Sequence, residues 1–217
     1  MKSFCIIGLG KFGNTLAEIL ANDGKQVLVI DSDADKVNAI ADTVTHAVIG
    51  DATNESVLRS AGVVNYQCAI ICMTENINAN IFLTITLKEM GVKTVVARAA
   101  NEGHHKVLQK IGADAIVFPE KDMAEKLAFM LRKENVTEMI DFHGYRIVEI
   151  VVPEAWVGQT ILDLDIRRKF DVNVLAVING KGKAEVSPAP SRKFTDGERV
   201  SVLGTERSIA KLTKQAR

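Results

Sequence analysis

Residues 4–16, Phe4-Cys5-Ile6-Ile7-Gly8-Leu9-Gly10-Lys11-Phe12-Gly13-Asn14-Thr15-Leu16, decide the fold. A short apolar run ends in Gly8-x-Gly10-x-x-Gly13, and Phe12, Leu16, Ile19 and Leu20 then recur at the spacing that lays one apolar face of a helix on a sheet. Strand, glycine turn and helix in this order are the context that gives an otherwise weak glycine motif its meaning. The first glycine permits the tight turn, the second lets a pyrophosphate approach the backbone, and the third keeps the helix close to the strand. Free N–H groups at the helix start then face the phosphates. Gly8, Gly10, Lys11, Phe12 and Gly13 are thus predicted to form a phosphate cradle.

Outward from this stretch the pattern repeats. Apolar runs at residues 4–7, 27–30, 47–49, 69–72, 94–97 and 115–118 alternate with segments of helical period. The runs are continuously apolar, as parallel strands covered on both faces must be. Six of them with intervening helices predict an α/β fold, a Rossmann-like doubly wound parallel sheet over residues 1–118. After Phe118 the pattern changes. Pro119 suits the first turn of a helix, and Met123, Leu127, Met130 and Leu131 predict a crossover helix at about residues 120–133 with an apolar face. Beyond it come a strand at 146–152 closed by Pro153, a helical segment at 160–170 and a strand at 172–178. Turns at 179–182 and 195–198, a loop at 187–190, a strand at 199–203 and a helix from Glu206 complete the chain. The 217 residues therefore divide into a Rossmann domain, a crossover helix and linker at 119–135, and a small α+β domain at 136–217.

Composition narrows the function classes. Twenty-seven Lys and Arg balance 27 Asp and Glu, which removes the basic footprint of a nucleic-acid binder. No apolar run approaches the roughly 20 residues of a membrane span. The opening Ser3-Phe4-Cys5-Ile6-Ile7 has neither the basic region nor the cleavage site of an export signal, so a soluble cytoplasmic protein is expected. Cys5, Cys68 and Cys72 are odd in number, sit in apolar runs and form no C-x-x-C pair. They read as small buried hydrophobes rather than a disulfide framework or zinc site.

Several polar residues fall where this fold binds ligands. Asp31, with Ser32 beside it, ends the second strand 18 residues after Gly13. A carboxylate there accepts ribose hydroxyls and repels a 2′-phosphate, which favours an adenine nucleotide lacking that phosphate. Gly50-Asp51-Ala52-Thr53 follows the third strand at the same edge, where Asp51 and Thr53 could line an adenine pocket; Thr53 or Asn54 reads equally well as a helix N-cap. Arg98 ends the fifth strand and, with Lys11, offers two cations to the phosphates, more than NAD calls for; a solvated surface arginine is the plainer alternative. His104-His105 opens a helix, where adjacent side chains point about 100° apart and cannot chelate one ion, so capping or surface roles are expected. Glu120 lies in a helix's first turn, a favourable place for any carboxylate. Trp156 and Phe170 read as core or interface. No nucleophile elbow, zinc signature, Walker loop or acid–base pair is visible.

Ile7-Gly8-Leu9-Gly10-Lys11-Phe12-Gly13, Thr45-His46-Ala47-Val48, Gly50-Asp51-Ala52-Thr53, His104-His105-Lys106-Val107-Leu108, Lys110-Ile111-Gly112-Ala113-Asp114 and Pro119-Glu120-Lys121-Asp122-Met123, taken in order, resemble the RCK (regulator of potassium conductance) family of KtrA/TrkA type over essentially the whole chain. The resemblance implies a non-enzymatic regulatory subunit, peripheral at the inner face of the plasma membrane. It implies a separate KtrB/TrkH-like membrane potassium channel or transporter as partner, and homodimers assembling into a homo-octameric ring. ATP and ADP would compete for the cleft, with NAD or NADH a further ligand. By position, Gly8, Gly10, Gly13 and Arg98 would hold phosphates, Asp31 and Ser32 the ribose, and Asp51, Ala52 and Thr53 the adenosine side. Lys11 stands where many KtrA proteins carry an arginine that reaches the γ-phosphate of the neighbouring subunit's nucleotide; lysine keeps the charge and loses the bidentate fork. Glu120 resembles the glutamate that helps bind Mg2+ or Na+ between subunits. Ile161, Asp165, Ile166, Arg167 and Asn173 resemble positions where some relatives bind cyclic di-AMP at a dimer interface, and of these Arg167 is the natural phosphate ligand. The competing reading is an NAD-dependent oxidoreductase, because Asp31 behind the same glycine fingerprint is what such enzymes use.

Overall fold

A computed structural model describes residues 2–133 and 135–215, and they form two compact units that meet between Pro119 and Glu120. The first unit alternates strands and helices without exception: β1 (Ser3–Ile7), α1 (Lys11–Asn22), β2 (Gln26–Asp31), α2 (Ala34–Ile40), β3 (His46–Ile49), α3 (Glu55–Ser60), β4 (Cys68–Ile71), α4 (Ile77–Glu89), β5 (Thr94–Arg98), α5 (Glu102–Lys110) and β6 (Ala115–Val117). All six strands pair in parallel, in the order β3-β2-β1-β4-β5-β6. The order reverses between β1 and β4, and such a reversal opens a crevice at the carboxyl edge of the sheet.

The apolar runs make this possible. Successive residues of β1 point to opposite faces, so Cys5 and Ile7 pack with Leu58, Leu83, Leu87 and Leu108 of α3, α4 and α5, while Ile6 packs with Ala17 of α1 and Val37 and Ile40 of α2. A strand that alternated polar with apolar residues would bury polar groups on one side. The cysteines behave as expected: all three are free, and burial pushes the Cys72 thiol up to about 12 and the Cys5 thiol higher still.

The second unit contains α6 (Pro119–Leu131), β7 (Val136–Phe142), β8 (Tyr145–Val151), α7 (Ile161–Leu164), α8 (Ile166–Phe170), β9 (Val172–Ile178), β10 (Ala184–Val186), β11 (Arg199–Gly204) and α9 (Glu206–Gln215). Its sheet is antiparallel, ordered β10-β9-β11-β8-β7. Val148, Ile150, Val200 and Val202 line the core with Trp156, Phe170 and Phe194. The Trp156 ring lies 6.2 Å from Phe170 and 5.6 Å from Phe194, so both aromatic residues flagged in the sequence are core.

Three features of this unit differ from the sequence expectation. Strands β7 and β10 were absent from it. Thr137, Glu138 and Asp141 dilute the apolar signal, and β7 turns into β8 through His143 and Gly144, both at positive φ (47° and 86°), in a two-residue hairpin without the Asn-Gly signature. The helical segment at 160–170 is two short helices, because Asp165 takes a left-handed conformation (φ 44°) between them. On α6 the buried residue is Phe129, with Met130 packed beside it, whereas Met123, Leu127 and Leu131 are 61%, 51% and 76% exposed.

Candidate functional site

The glycine loop fits its motif for separable reasons. Gly8 sits at φ 95°, a left-handed conformation, and a Cβ there would stand 3.1 Å from the Met73 nitrogen. At Gly13 a Cβ would stand 2.0 Å from the Gly8 carbonyl oxygen and 3.1 Å from the Cys72 Cβ, so α1 rests on the β1–β4 crest only because that atom is missing. Gly10 is different. Its backbone is extended (φ −66°, ψ 178°), and nothing lies within 4 Å of the position of its missing Cβ. The protein's own packing makes no demand on that position, and the open face lies at the start of α1. This 12-residue helix has no side-chain N-cap and no acidic residue in its first turn, so its terminal N–H groups and positive dipole end keep their capacity for an anion.

Asp31 closes the other side. Its Oδ2 accepts from the Leu9 N–H at 2.5 Å and its Oδ1 from the Asp33 N–H at 2.9 Å, so one carboxylate ties the glycine loop to the β2–α2 turn. Each oxygen keeps a lone pair for a ribose hydroxyl. Ser32 beside it is exposed. The Gly50 N–H donates to the Asp31 carbonyl at 2.9 Å, which sets the segment after β3 beside the end of β2. There Asp51 Oδ1 accepts from both the N–H (2.9 Å) and the hydroxyl (2.8 Å) of Thr53, and these two bonds hold the Asp51 carboxyl below the usual carboxylate range. Asn54, not Thr53, caps α3, accepting from the Ser56 N–H at 3.0 Å. Thr53 and Asp51 are exposed, whereas Ala52 packs into the core.

Arg98 comes to the same edge from β5. Its guanidinium lies 5.3 Å from the centre of the Phe12 ring in the first turn of α1, and its Nη1 donates to the Cys72 carbonyl at 3.5 Å. It is therefore not a solvated surface arginine. Lys11 is exposed at the first position of α1. Gly8, Gly10, Gly13, Phe12, Asp31 and Arg98 are thus gathered around one helix terminus, with Asp51 and Thr53 one strand further out.

Two residues that the sequence reading did not place here shape the site. Asn80 of α4 is 0% exposed, and its Nδ2 donates to the carbonyls of Met73 (2.7 Å) and Arg98 (3.1 Å), clamping the ends of β4 and β5. His104 of α5 is 3% exposed and its Nδ1 accepts from the Ala100 N–H at 3.1 Å, while Asn101 caps α5 by accepting from the His104 N–H at 2.9 Å. The cap is therefore Asn101 rather than either histidine, and His104 is buried rather than at the surface.

Two domain families match the chain: TrkA-N over residues 4–119 and TrkA-C over residues 146–217. It is 41% identical to Ktr system potassium uptake protein C of Bacillus subtilis (strain 168), across 99% of this chain and 97% of that protein, and 39% identical to Ktr system potassium uptake protein A of the same organism across 99% and 96%. The chain belongs to the RCK family, KtrA/TrkA type. Among solved structures, the GsuK channel bound to NAD matches with a TM-score of 0.56 and 26% identity over 100% of this chain, which spans 39% of that channel chain.

The remaining residues implied by RCK membership lie in the second unit. Glu120 is exposed in the first turn of α6 beside Asp122. Among the described residues no group of three His, Cys, Asp or Glu side chains is close enough to hold a metal ion. Ile161 packs on the core of its unit and Ile166 is buried in it, Asp165 is the left-handed link between α7 and α8, and Arg167 and Asn173 are exposed. No helix among the described residues is long and apolar enough to cross a membrane.

Proposed function

We propose that this RCK protein is the nucleotide-sensing regulatory subunit of a membrane potassium channel or transporter, soluble in the cytoplasm and held at the inner membrane face by a KtrB/TrkH-like partner. One observation carries the ligand side of this reading: the open face at Gly10 meets the uncapped, acid-free start of α1, between the Asp31 carboxylate and the Arg98 guanidinium. This arrangement would offer phosphate and ribose contacts, which suits recognition. The names of the Ktr relatives support the transport side.

Gly8, Gly10, Gly13 and Arg98 would hold the phosphates of ATP or ADP, Asp31 and Ser32 the ribose, and Asp51, Ala52 and Thr53 would border the adenosine. On this reading the chain would divide into a Rossmann domain at 1–118, a crossover at 119–135 and a regulatory domain at 136–217. Exposed apolar side chains support a homodimer that builds an octameric ring, since Met123, Leu127 and Leu131 form one stripe on α6 and Phe82 stands 67% exposed on α4. On this reading a second copy would cover each of them. In such an assembly Lys11 would reach the γ-phosphate of the neighbouring subunit's nucleotide, and Glu120 would share Mg2+ or Na+ with that neighbour. Gating then follows from differential affinity: a ligand shifts the ring only by the difference in its binding to the two states. Arg167 and Asn173, with Ile161, Asp165 and Ile166 around them, would present a cyclic di-AMP site at the dimer interface.

A second ligand has an observation in its favour. Asp31 behind the glycine loop suits NAD or NADH, and the GsuK channel has been solved bound to NAD. A thermal-shift series with ATP, ADP, NAD, NADH and cyclic di-AMP, with and without magnesium, tests both. ATP and ADP are expected to raise the melting temperature most. Hydride transfer from NADH by the purified protein would return the oxidoreductase reading and overturn this one.

A further inference from the structure

Asn80 and His104 flank one stretch of backbone from opposite ends. Asn80 takes the Arg98 carbonyl at 3.1 Å, and His104 takes the Ala100 N–H at 3.1 Å. Asn80 also takes the carbonyl of Met73, the residue whose nitrogen crowds Gly8. Its orientation is settled by chemistry: two carbonyls face one end of the amide, so that end is the NH2, and a flipped side chain would set oxygen against oxygen. The histidine tautomer is settled the same way. Nδ1 accepts a hydrogen bond and so carries no proton, which leaves the proton of the neutral ring on Nε2. Burial pushes the His104 pKa below its ordinary value, which keeps the ring neutral at pH 7.

This leaves one buried acceptor, Asn80 Oδ1, and one buried donor, His104 Nε2–H, and neither has a hydrogen-bond partner among the described residues. They sit on α4 and α5, which pack against each other. A buried polar group without a partner costs about 1–3 kcal/mol, and two that are complementary on adjoining helices cancel that cost by meeting.

We propose that His104 Nε2–H is joined to Asn80 Oδ1 through one enclosed water, completing a polar chain from the Met73 carbonyl through Asn80 and His104 to the Ala100 N–H. The chain makes Asn80 and His104 positioning residues: it fixes the end of β5, and with it the direction in which Arg98 leaves the sheet, relative to the Gly8 turn. This role rests on the reading of Arg98 as a phosphate ligand, whereas the link between the two side chains does not.

Two measurements test it separately. In the 15N-labelled full-length protein without nucleotide, the His104 ring is expected as the Nε2–H tautomer with its N–H protected from solvent exchange, and Asn80→Ala is expected to shift that resonance. An Nδ1–H tautomer, or a His104 signal that ignores Asn80→Ala, overturns the link. In calorimetry, His104→Leu is expected to weaken ATP and ADP by about tenfold, the equivalent of one unmade buried hydrogen bond. His104→Gln, which can accept from Ala100 and still donate, is expected to stay within about threefold of wild type. The Asn80→Ala/His104→Leu double variant is expected to lose no more than the worse single one; losses that multiply contradict a shared chain. If wild type binds no nucleotide, the functional reading fails and the spectrum still decides the link. If His104→Leu does not fold, the wild-type spectrum and His104→Gln decide it.

Discussion

The two sheets put their strand ends to different uses. In the parallel sheet every carboxyl end opens on the same edge, so the residues after β1, β2, β3 and β5 gather there by topology alone, bringing Gly8, Asp31, Asp51 and Arg98 into one neighbourhood. In the antiparallel sheet neighbouring strands run in opposite directions, and their ends divide between two edges. Charges in that unit pair with one another: Arg192 with Glu198 and Glu185, Arg199 with Glu149, and Arg146 with Asp141 and Glu206. One region keeps hydrogen-bonding capacity open at a helix terminus, and the other uses its capacity to lock itself.

That contrast can be broken most forcefully at two positions. Gly13→Ala drives a methyl group into the Gly8 carbonyl and is expected to cost the first unit about 2–4 kcal/mol in urea unfolding. Arg192→Met leaves the buried Glu198 carboxylate without its cation and is expected to cost the second unit about 3 kcal/mol while nucleotide affinity stays at the wild-type value. Loss of ATP binding in Arg192→Met would show that the two units are not separate in this sense.

Acid should also separate the units. Glu198 is held at about 2 in the folded protein by Arg192 and by the Thr195 N–H, against about 4.5 unfolded. Its contribution is therefore complete above pH 4.5 and is lost as the pH falls toward 2. His104 works at higher pH, because its folded pKa lies below the unfolded value near 6.5. The unfolded chain takes up that proton first, so the first unit loses stability as the pH falls below about 6.5. Melting followed by probes placed in each unit is expected to show the first weakening earlier in an acid series, and the reverse order would contradict these environments. The smallest expected effect is at Lys11: Lys11→Ala should narrow the ATP-to-ADP affinity ratio with ADP nearly unchanged, and equal losses for both nucleotides would remove the γ-phosphate role.

Legibility in the sequence follows the same division. The six parallel strands and the glycine loop could be read because their constraints are local: continuous apolar runs, a backbone turn, and a helix pressed on a strand within ten residues. Asn80 and His104 could not, because each is a polar residue inside a helical apolar pattern and its value lies in contacts with the end of another strand, 18 residues away for Asn80. Histidine spacing excluded chelation but said nothing of burial. In the second unit β7 escaped because half of its face is polar, and the α6 stripe was assigned as one face although Phe129 and Met130 turn inward and Met123, Leu127 and Leu131 turn outward. Periodicity shows that an apolar face exists and not what covers it.

Nucleotide sensing by this protein depends on the loop edge at Gly10 receiving the phosphates. Titration of ATP into wild type and Gly10→Ala, with melting curves of both, tests it most directly, because alanine suits the extended backbone and meets no protein atom there. Stability is expected to change by less than about 0.5 kcal/mol while ATP binding weakens at least about tenfold. Equal affinity in the two proteins, or no ATP binding by either, would contradict it.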